Sequence, residues 1–323
     1  MTQSAPTQRS LSQSPAVEEA IAALRSFQHG DRGILDVIRC GAQAVPFLRT
    51  MLFERERSGL FQTRCRVVQA LAALDAYDVL IEFLKVNRSI ADPVERVGED
   101  AVINAAALAL ANVRERHVFE LLLRLAGRSA LTGVIGALGG LGRAEAIPVF
   151  IDALEEDASR HTAETALWKL GKKACPALLS TVDLKLPSCG RESESSARRR
   201  RSALKLLAEM DRSRAAWRRL RHLMRDDDAP LAVRACEIGL TRGSASERTD
   251  AVRRLIELLP QKDWVLREEI EAYLTIHLAS AREVITQYLN RNSHFPRDDI
   301  AVREQTEIIL RRIIARATPA EAR

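Results

Sequence analysis

Ala44-Val45-Pro46-Phe47-Leu48 recurs in the chain as Ala146-Ile147-Pro148-Val149-Phe150 and again as Ala174-Cys175-Pro176-Ala177-Leu178. The prolines of the three copies stand 102 and 28 residues apart, which is three units of 34 followed by one shortened unit. A second phrase closes the segments that alternate with these: Leu138-Gly139-Gly140-Leu141-Gly142, Leu170-Gly171 and the degenerate copy Leu74-Asp75. Gly or Asp at that point can adopt the left-handed conformation that stops a helix. A third phrase opens partner segments: Asp228-Ala229-Pro230-Leu231-Ala232-Val233-Arg234 and Asp299-Ile300-Ala301-Val302-Arg303. Asp caps the exposed amides of a first helical turn, and Val begins the buried stripe.

Two helices per unit, antiparallel pairing and a period of roughly 30–40 residues predict an all-α fold, an α-solenoid of about eight helical hairpins. The stripes agree. Val67, Leu71 and Leu74 are spaced i, i+4, i+7, and Leu204, Leu207 and Ala208 i, i+3, i+4. The spacing predicts a leading helix near Val17–Gln28 and then pairs near 33–75, 77–113, 116–142, 144–171, 172–210, 212–242, 246–278 and 280–316. These phrases resemble the HEAT-repeat, or armadillo-like, family, including the short bacterial repeats of the phycobilisome-lyase type. The resemblance runs from about Ala16 to Ala315 and speaks to the fold rather than to a function. The phrases are poorest around Glu95–Val113 and Glu247–His277.

Residues 17–316 are therefore expected to form one repeat array, between a Ser/Thr/Gln-rich disordered tail at 1–16 and a short tail at 317–323. Asp183–Ala197, polar and carrying Pro187, Gly190 and four serines, is expected as an extended, mobile loop inside one unit. The N-terminus has no apolar run of a secretory signal. The longest uncharged stretch, Ser129–Gly142, is 14 residues long and too short to span a bilayer. Five well-separated cysteines without a C-x-x-C favour a reducing compartment. Together these features read as a soluble, cytoplasmic protein with no membrane partner.

Catalytic constellations are missing. No H-E-x-x-H, phosphate-loop, G-x-S-x-G or kinase signature occurs. Gly133, Gly136, Gly139, Gly140 and Gly142 lie within and after an apolar helical stretch, so close helix approach explains them better than phosphate binding. His29, His117, His161, His222, His277 and His294 are scattered, and His161 with Glu164 reads as a surface pair. Asp226-Asp227-Asp228 points in different directions on a helix, so it reads as a turn whose last member caps the next helix. Trp168 and Trp217 are expected in the core, and Trp264 fits either side. These readings give no catalytic residue, no metal site and no cofactor.

Charge supplies the one sharp feature. From Met1 to Cys189 the chain has 22 Lys+Arg and 22 Asp+Glu; from Gly190 onward it has 27 and 21, so the whole +6 lies in the second part. Arg191–Arg225 alone holds 12 basic and 4 acidic residues. Arg198-Arg199-Arg200-Arg201 is expected to open a helix, with Arg198, Arg201 and Lys205 on one face and Arg199 beside them. Four arginines there would oppose the helix dipole and favour a bound anion or an acidic neighbour. Arg214, Arg218, Arg221 and Arg225 follow i, i+4, i+7, i+11, a basic stripe opposite Trp217, Leu220 and Met224. Arg outnumbers Lys 42 to 7, which suits forked contacts to carboxylate or phosphate and equally an arginine-rich proteome.

The expected function is a non-enzymatic scaffold that presents its concave helical surface to a protein or peptide, with Arg198, Arg199, Arg201, Lys205, Arg214, Arg218, Arg221 and Arg225 anchoring an acidic partner. Nucleic acid held through phosphates by the same arginines is the alternative. Aromatics at 4% are scarce for base stacking, and no DNA-reading motif occurs. The family resemblance implies a third reading, a lyase or chaperone of a cofactor-bearing protein.

Overall fold

The computed structural model describes residues 15–26, 28, 30–55, 61–86, 89–127, 131–260, 263–291 and 300–316. The terminal tails expected before residue 15 and after 316, and His29, His294 and the Asp299 cap, lie outside the described residues. The chain divides into two compact units, Met1–Leu170 and Gly171–Arg323. Both are helical.

Unit one carries α1 (Pro15–Arg25), α2 (Gly30–Arg39), α3 (Val45–Phe53), α4 (Gln62–Ala73), α5 (Tyr77–Lys85), α6 (Pro93–Ala109), α7 (Arg116–Ala126), α8 (Thr132–Leu141), α9 (Ile147–Ala153) and α10 (Asp157–Leu170). Unit two carries α11 (Cys175–Asp183), a hairpin of β1 (Pro187–Ser188) and β2 (Arg191–Glu192), α12 (Glu194–Met210), α13 (Arg214–Leu220), α14 (Ala229–Arg242), α15 (Ala245–Leu258), α16 (Trp264–Ile276), α17 (Leu278–Arg291) and α18 (Ile300–Arg316).

The repeated phrases have a plain structural meaning. Ala44, Ala146 and Ala174, the first residue of each copy, are wholly buried, and so are Leu48, Phe150 and Leu178, the last. Short 3-10 turns lead into α3, α9 and α11, and each of these helices carries its Pro in the first turn, where a missing N–H costs nothing. The preceding chain reverses in the left-handed region at Gly41 (φ 64°), Gly142 (φ 63°) and Gly171 (φ 58°), with Asp75 (φ 54°) in the same role after α4. The helix-stop reading of Gly142, Gly171 and Asp75 is thus seen directly. Caps open the poorly patterned helices: Asp92 on α6, Ser244 on α15 and Asp263 on α16.

Consecutive helices pair as hairpins, and the even-numbered helices of each unit also pack side by side: α2 to α10 in unit one, α12 to α18 in unit two. Among the described residues this gives nine pairs, one more than the spacing suggested. The segment read as the start of the first pair is instead α2, which folds back on α1. The extra turn at Gly41 carries no sequence mark beyond one glycine.

Glycines set the closeness of α8 to its neighbours. A Cβ on Gly133 would stand 2.4 Å from the Asn104 carbonyl oxygen and 2.6 Å from its Cα, while the Gly133 N–H donates to Asn104 Oδ1 at 2.7 Å. One on Gly139 would meet the Ala166 Cβ at 2.9 Å. Backbone cannot yield as a side chain does. Gly133→Ala is therefore expected to destabilise unit one by about 1–3 kcal/mol, read by urea unfolding.

The 183–197 segment, expected as an extended loop, closes into a two-stranded antiparallel hairpin with Pro187 opposite Glu192 and Ser188 opposite Arg191. Its turn residues Cys189 (φ 51°) and Gly190 (φ 81°) both take positive φ, the conformation a two-residue hairpin needs. The last four residues of that segment already belong to α12. No helix among the described residues is long and apolar enough to cross a membrane.

Candidate functional site

The arginine-rich region spans α12, α13 and the turn beyond, and the structure divides its charges into two classes. The four arginines do not open α12. That helix starts at Glu194, where the Ser193 Oγ accepts from the Ser196 N–H at 3.1 Å and Glu194 lies in the first turn. The arginines follow one turn in, so the expected opposition to the helix dipole falls away.

Arg200 is 1% exposed and sits at the centre of an ionic knot. Its Nε donates to the Val182 carbonyl at the end of α11 (2.7 Å), and its terminal nitrogens reach Glu192 of β2 (2.8 Å) and Asp226 (2.5 Å). Lys185 adds contacts to Asp226 (3.4 Å) and Asp227 (3.1 Å). Burial works against the Asp226 carboxylate, but Arg200 and the Asp228 N–H hold its pKa below the usual range. Burial likewise opposes the Arg200 charge, and Asp226 and Glu192 outweigh it.

Arg201 forks onto Asp228 at 2.9 and 2.5 Å and reaches Glu194 at 3.0 Å. Asp228 meanwhile caps α14 by accepting from the Leu231 N–H at 2.9 Å, as its place before a helix implied. Arg199 is 4% exposed and donates to the Leu184 carbonyl. Arg199 and Arg201, expected as parts of an open anchor, are thus engaged inside the fold. The Leu184 carbonyl just after α11 holds the first, and Asp228 together with Glu194 of the same helix holds the second. Arg198 is half-buried along α12, its Nε near the Glu194 carbonyl at 3.4 Å, and Lys205 is exposed.

The second class lies on α13. Arg214, Arg218 and Arg219 are exposed, as is Arg212 just before the helix, and none makes an ion pair among the described residues. The expected four-arginine stripe is broken: α13 stops at Leu220, and Arg221–Arg225 form a 3-10 turn. The reason is packing. Trp217, Leu220 and Leu223, all buried, recur every third residue, the 3-10 period. A residue there turns about 120° instead of about 100°, so Arg225 leaves the line of Arg214 and Arg218. Arg221 contacts Glu247 at 3.4 Å, whereas Arg225 is exposed.

Trp217 anchors this arrangement. A Cβ on Gly239 of α14 would meet its ring at 3.0 Å, so the glycine makes room for it. Beside the 3-10 turn lies an open cleft of about 750 Å³ whose walls include Arg221, Arg225, Arg253, Glu247, Asp250 and Glu257. Its charges alternate in sign. Glu247 closes a capping box on α15: its carboxylate accepts from the Ser244 N–H at 2.7 Å and from Ser244 Oγ at 2.9 Å. These bonds pull its pKa from 4.5 to about 2. A depressed carboxylate stabilises the fold fully above its unfolded pKa and loses that contribution as pH falls through the folded value. Unit two should therefore lose stability between about pH 4.5 and about pH 2, and Glu247→Gln should flatten that part of a stability-versus-pH curve.

Sequence reasoning passed over Arg212 and Arg219, whose only signal was membership of the basic run. It also placed Trp168 in the core; that side chain is 58% exposed, because on α10 the buried stripe runs through Ala163, Ala166 and Leu167. Trp264 is 63% exposed at the start of α16. Among the described residues no cluster of three or more His, Cys, Asp or Glu side chains is placed to hold a metal. Burial pushes the Cys236 thiol up to about 12, so it stays protonated as a core side chain.

No family model matches this chain, and no curated protein matches it. Among solved structures, the complex of CpcE and CpcF of phycocyanin lyase from Nostoc sp. PCC7120 is similar at 18% identity, covering 80% of this chain and 100% of that one, with a TM-score of 0.35. An engineered protein is similar at 14% identity, covering 93% of this chain and 88% of that one, with a TM-score of 0.32. Neither likeness says what this chain does.

Proposed function

We propose that the protein is a non-enzymatic binding scaffold, each unit a HEAT-like α-solenoid, whose exposed arginines on α13 anchor an acidic segment of a protein partner. The observation that carries this reading is the division of the basic region. The α12 arginines are engaged by carboxylates and carbonyls, whereas Arg212, Arg214, Arg218 and Arg219 face solvent without partners among the described residues. Unpartnered arginines at helical spacing present forked donors to carboxylates about one helical turn apart. The neighbouring cleft favours protein over nucleic acid. Glu247, Asp250 and Glu257 among its cations repel a uniform row of phosphates, yet they suit a partner whose own charges alternate.

The test is a pair of titrations followed by fluorescence anisotropy, one with a labelled glutamate-rich peptide and one with labelled duplex DNA, each across a salt series. The scaffold reading expects saturable peptide binding that weakens with salt and weaker DNA binding. Tight DNA binding with a steep salt slope would transfer the site to nucleic acid.

A further inference from the structure

We infer that the cleft beside α13 selects a partner in which a lysine and a glutamate follow the acidic stretch. The inference rests on the scaffold reading and deepens it: the α13 arginines draw an acidic segment, and the cleft sets which acidic segment is held. The cleft lies wholly in unit two, between the 3-10 turn 221–225 and α15. Three of its four arginines meet acids of α15: Arg221 with Glu247 at 3.4 Å, Arg253 with Asp250 at 3.3 Å and Arg254 with Glu257 at 3.1 Å. All three distances exceed the roughly 2.7–2.9 Å of a tight charge-assisted bond. Asp250 and Glu257 are more than half exposed, and pairs of that kind contribute about 0–1 kcal/mol, so exchanging them for a partner's charges costs little. Arg225 is exposed and makes no ion pair among the described residues, which leaves it open to a partner's carboxylate.

Glu247 differs from the other two acids. Its side chain is 15% exposed, and both bonds from Ser244 fall on Oε2, which fixes the carboxylate at the start of α15. Oε1 is the oxygen that meets Arg221 at the long distance. With a pKa of about 2 the group keeps its charge at any pH where a partner would bind. Arg254 bolts α15 to the turn by donating to the Met224 and Asp226 carbonyls at 3.1 and 3.4 Å, so the two walls are held in register. A run of glutamates that satisfied α13 would carry its next acids against Glu247, Asp250 and Glu257, and like charges at contact repel. A lysine there meets counter-charges instead, and Met224, which lines the same cleft, suits its apolar stem. The glutamate beside it then has Arg225. From Arg218 to Arg225 the chain advances about 10–15 Å, at about 1.5 Å per α-helical and about 2 Å per 3-10 residue, which an extended partner covers in about three to five residues.

Two labelled peptides of equal length and equal net charge test this by fluorescence anisotropy. Each carries a glutamate run, and about four residues beyond it one peptide has Lys-Glu and the other Gln-Gln. The Lys-Glu peptide is expected to bind about five- to tenfold more tightly at low salt. Glu247→Gln/Asp250→Asn should abolish that preference, and Asp250→Asn or Arg225→Gln alone, each at an exposed side chain, should lower it; circular dichroism checks that each variant folds. Arg218→Glu/Arg219→Glu should weaken both peptides together and leave their ratio near its original value. Equal binding of the two peptides, tighter binding of the Gln-Gln peptide, or a ratio unchanged by the cleft substitutions would overturn the inference and leave the α13 anchor standing. Binding of neither peptide would overturn both.

Discussion

Replacing Arg200 by alanine is expected to lower the unfolding free energy of unit two by about 3–5 kcal/mol, the cost of leaving a buried charge without its partner. Asp226 is 7% exposed at its side chain, and its pair with Arg200 is the shortest contact in the knot. The Val182 carbonyl at the end of α11 and Glu192 of the hairpin lose donors as well. Arg200→Ala/Asp226→Asn should recover part of the loss, because the buried negative charge disappears with its partner. Arg198→Ala, two residues away on the same helix and half-buried, should cost less than about 1 kcal/mol. Urea unfolding followed by the fluorescence of buried Trp217 separates these cases. Equal effects of Arg198→Ala and Arg200→Ala would mean that the run acts as one charged surface, contrary to the contacts described.

The same knot has a counterpart in unit one. Arg64 of α4 donates from Nε to the Leu52 carbonyl at the end of α3 (2.9 Å) and pairs with buried Glu99 of α6 (2.6 Å). In both units an arginine of an even helix donates to a last-turn carbonyl of the preceding helix and pairs with an acid beyond its own helix. Such an arginine supplies donors to carbonyls that a helix end leaves unsatisfied. Arg66, Arg242 and Arg254 likewise donate to carbonyls of other elements, so several arginines join neighbouring helices to one another.

Reversing Arg218 and Arg219 to glutamate should weaken binding of a glutamate-rich peptide by roughly 100-fold at low salt. Each exposed charge contributes about 1 kcal/mol or less at contact in water, and two reversals change four unit charges, so about 2–3 kcal/mol is lost. The effect should shrink as salt is added. Arg199→Gln and Arg201→Gln should instead reduce stability and leave the affinity of the folded protein near its original value, since both groups are engaged inside the fold. Anisotropy titrations of these three variants, paired with thermal unfolding, test the division. Loss of affinity in the α12 variants with α13 variants unaffected would place the anchor on the wrong helix.

The repeated phrases made the helical pairs legible because each phrase encodes a local need. Buried Ala, Pro in a first turn and a left-handed residue after a last turn are set by the backbone of a few neighbouring residues. The extra pair at α1 and α2 was not legible, since one glycine at position 41 is the whole of its signal. The hairpin at 187–192 was hidden by its shortness; two residues per strand show no periodicity. Trp168 was misplaced because a tryptophan beside a helix stop reads as core, while on α10 small alanines fill the contact and leave no room for it.

By itself, the sequence determined that the chain is helical, where most helices begin and end, and that its net positive charge gathers after residue 189. Only the tertiary structure decided which arginines are available. A guanidinium's freedom depends on whether a carbonyl or carboxylate from another element lies within about 3 Å, and for Arg200 and Arg201 those partners come from 8 to 27 positions away. Arg200 and Arg218 belong to the same basic stretch of sequence, yet one is closed inside a knot and the other faces water. Folding brings distant acids to the first and, among the described residues, none to the second.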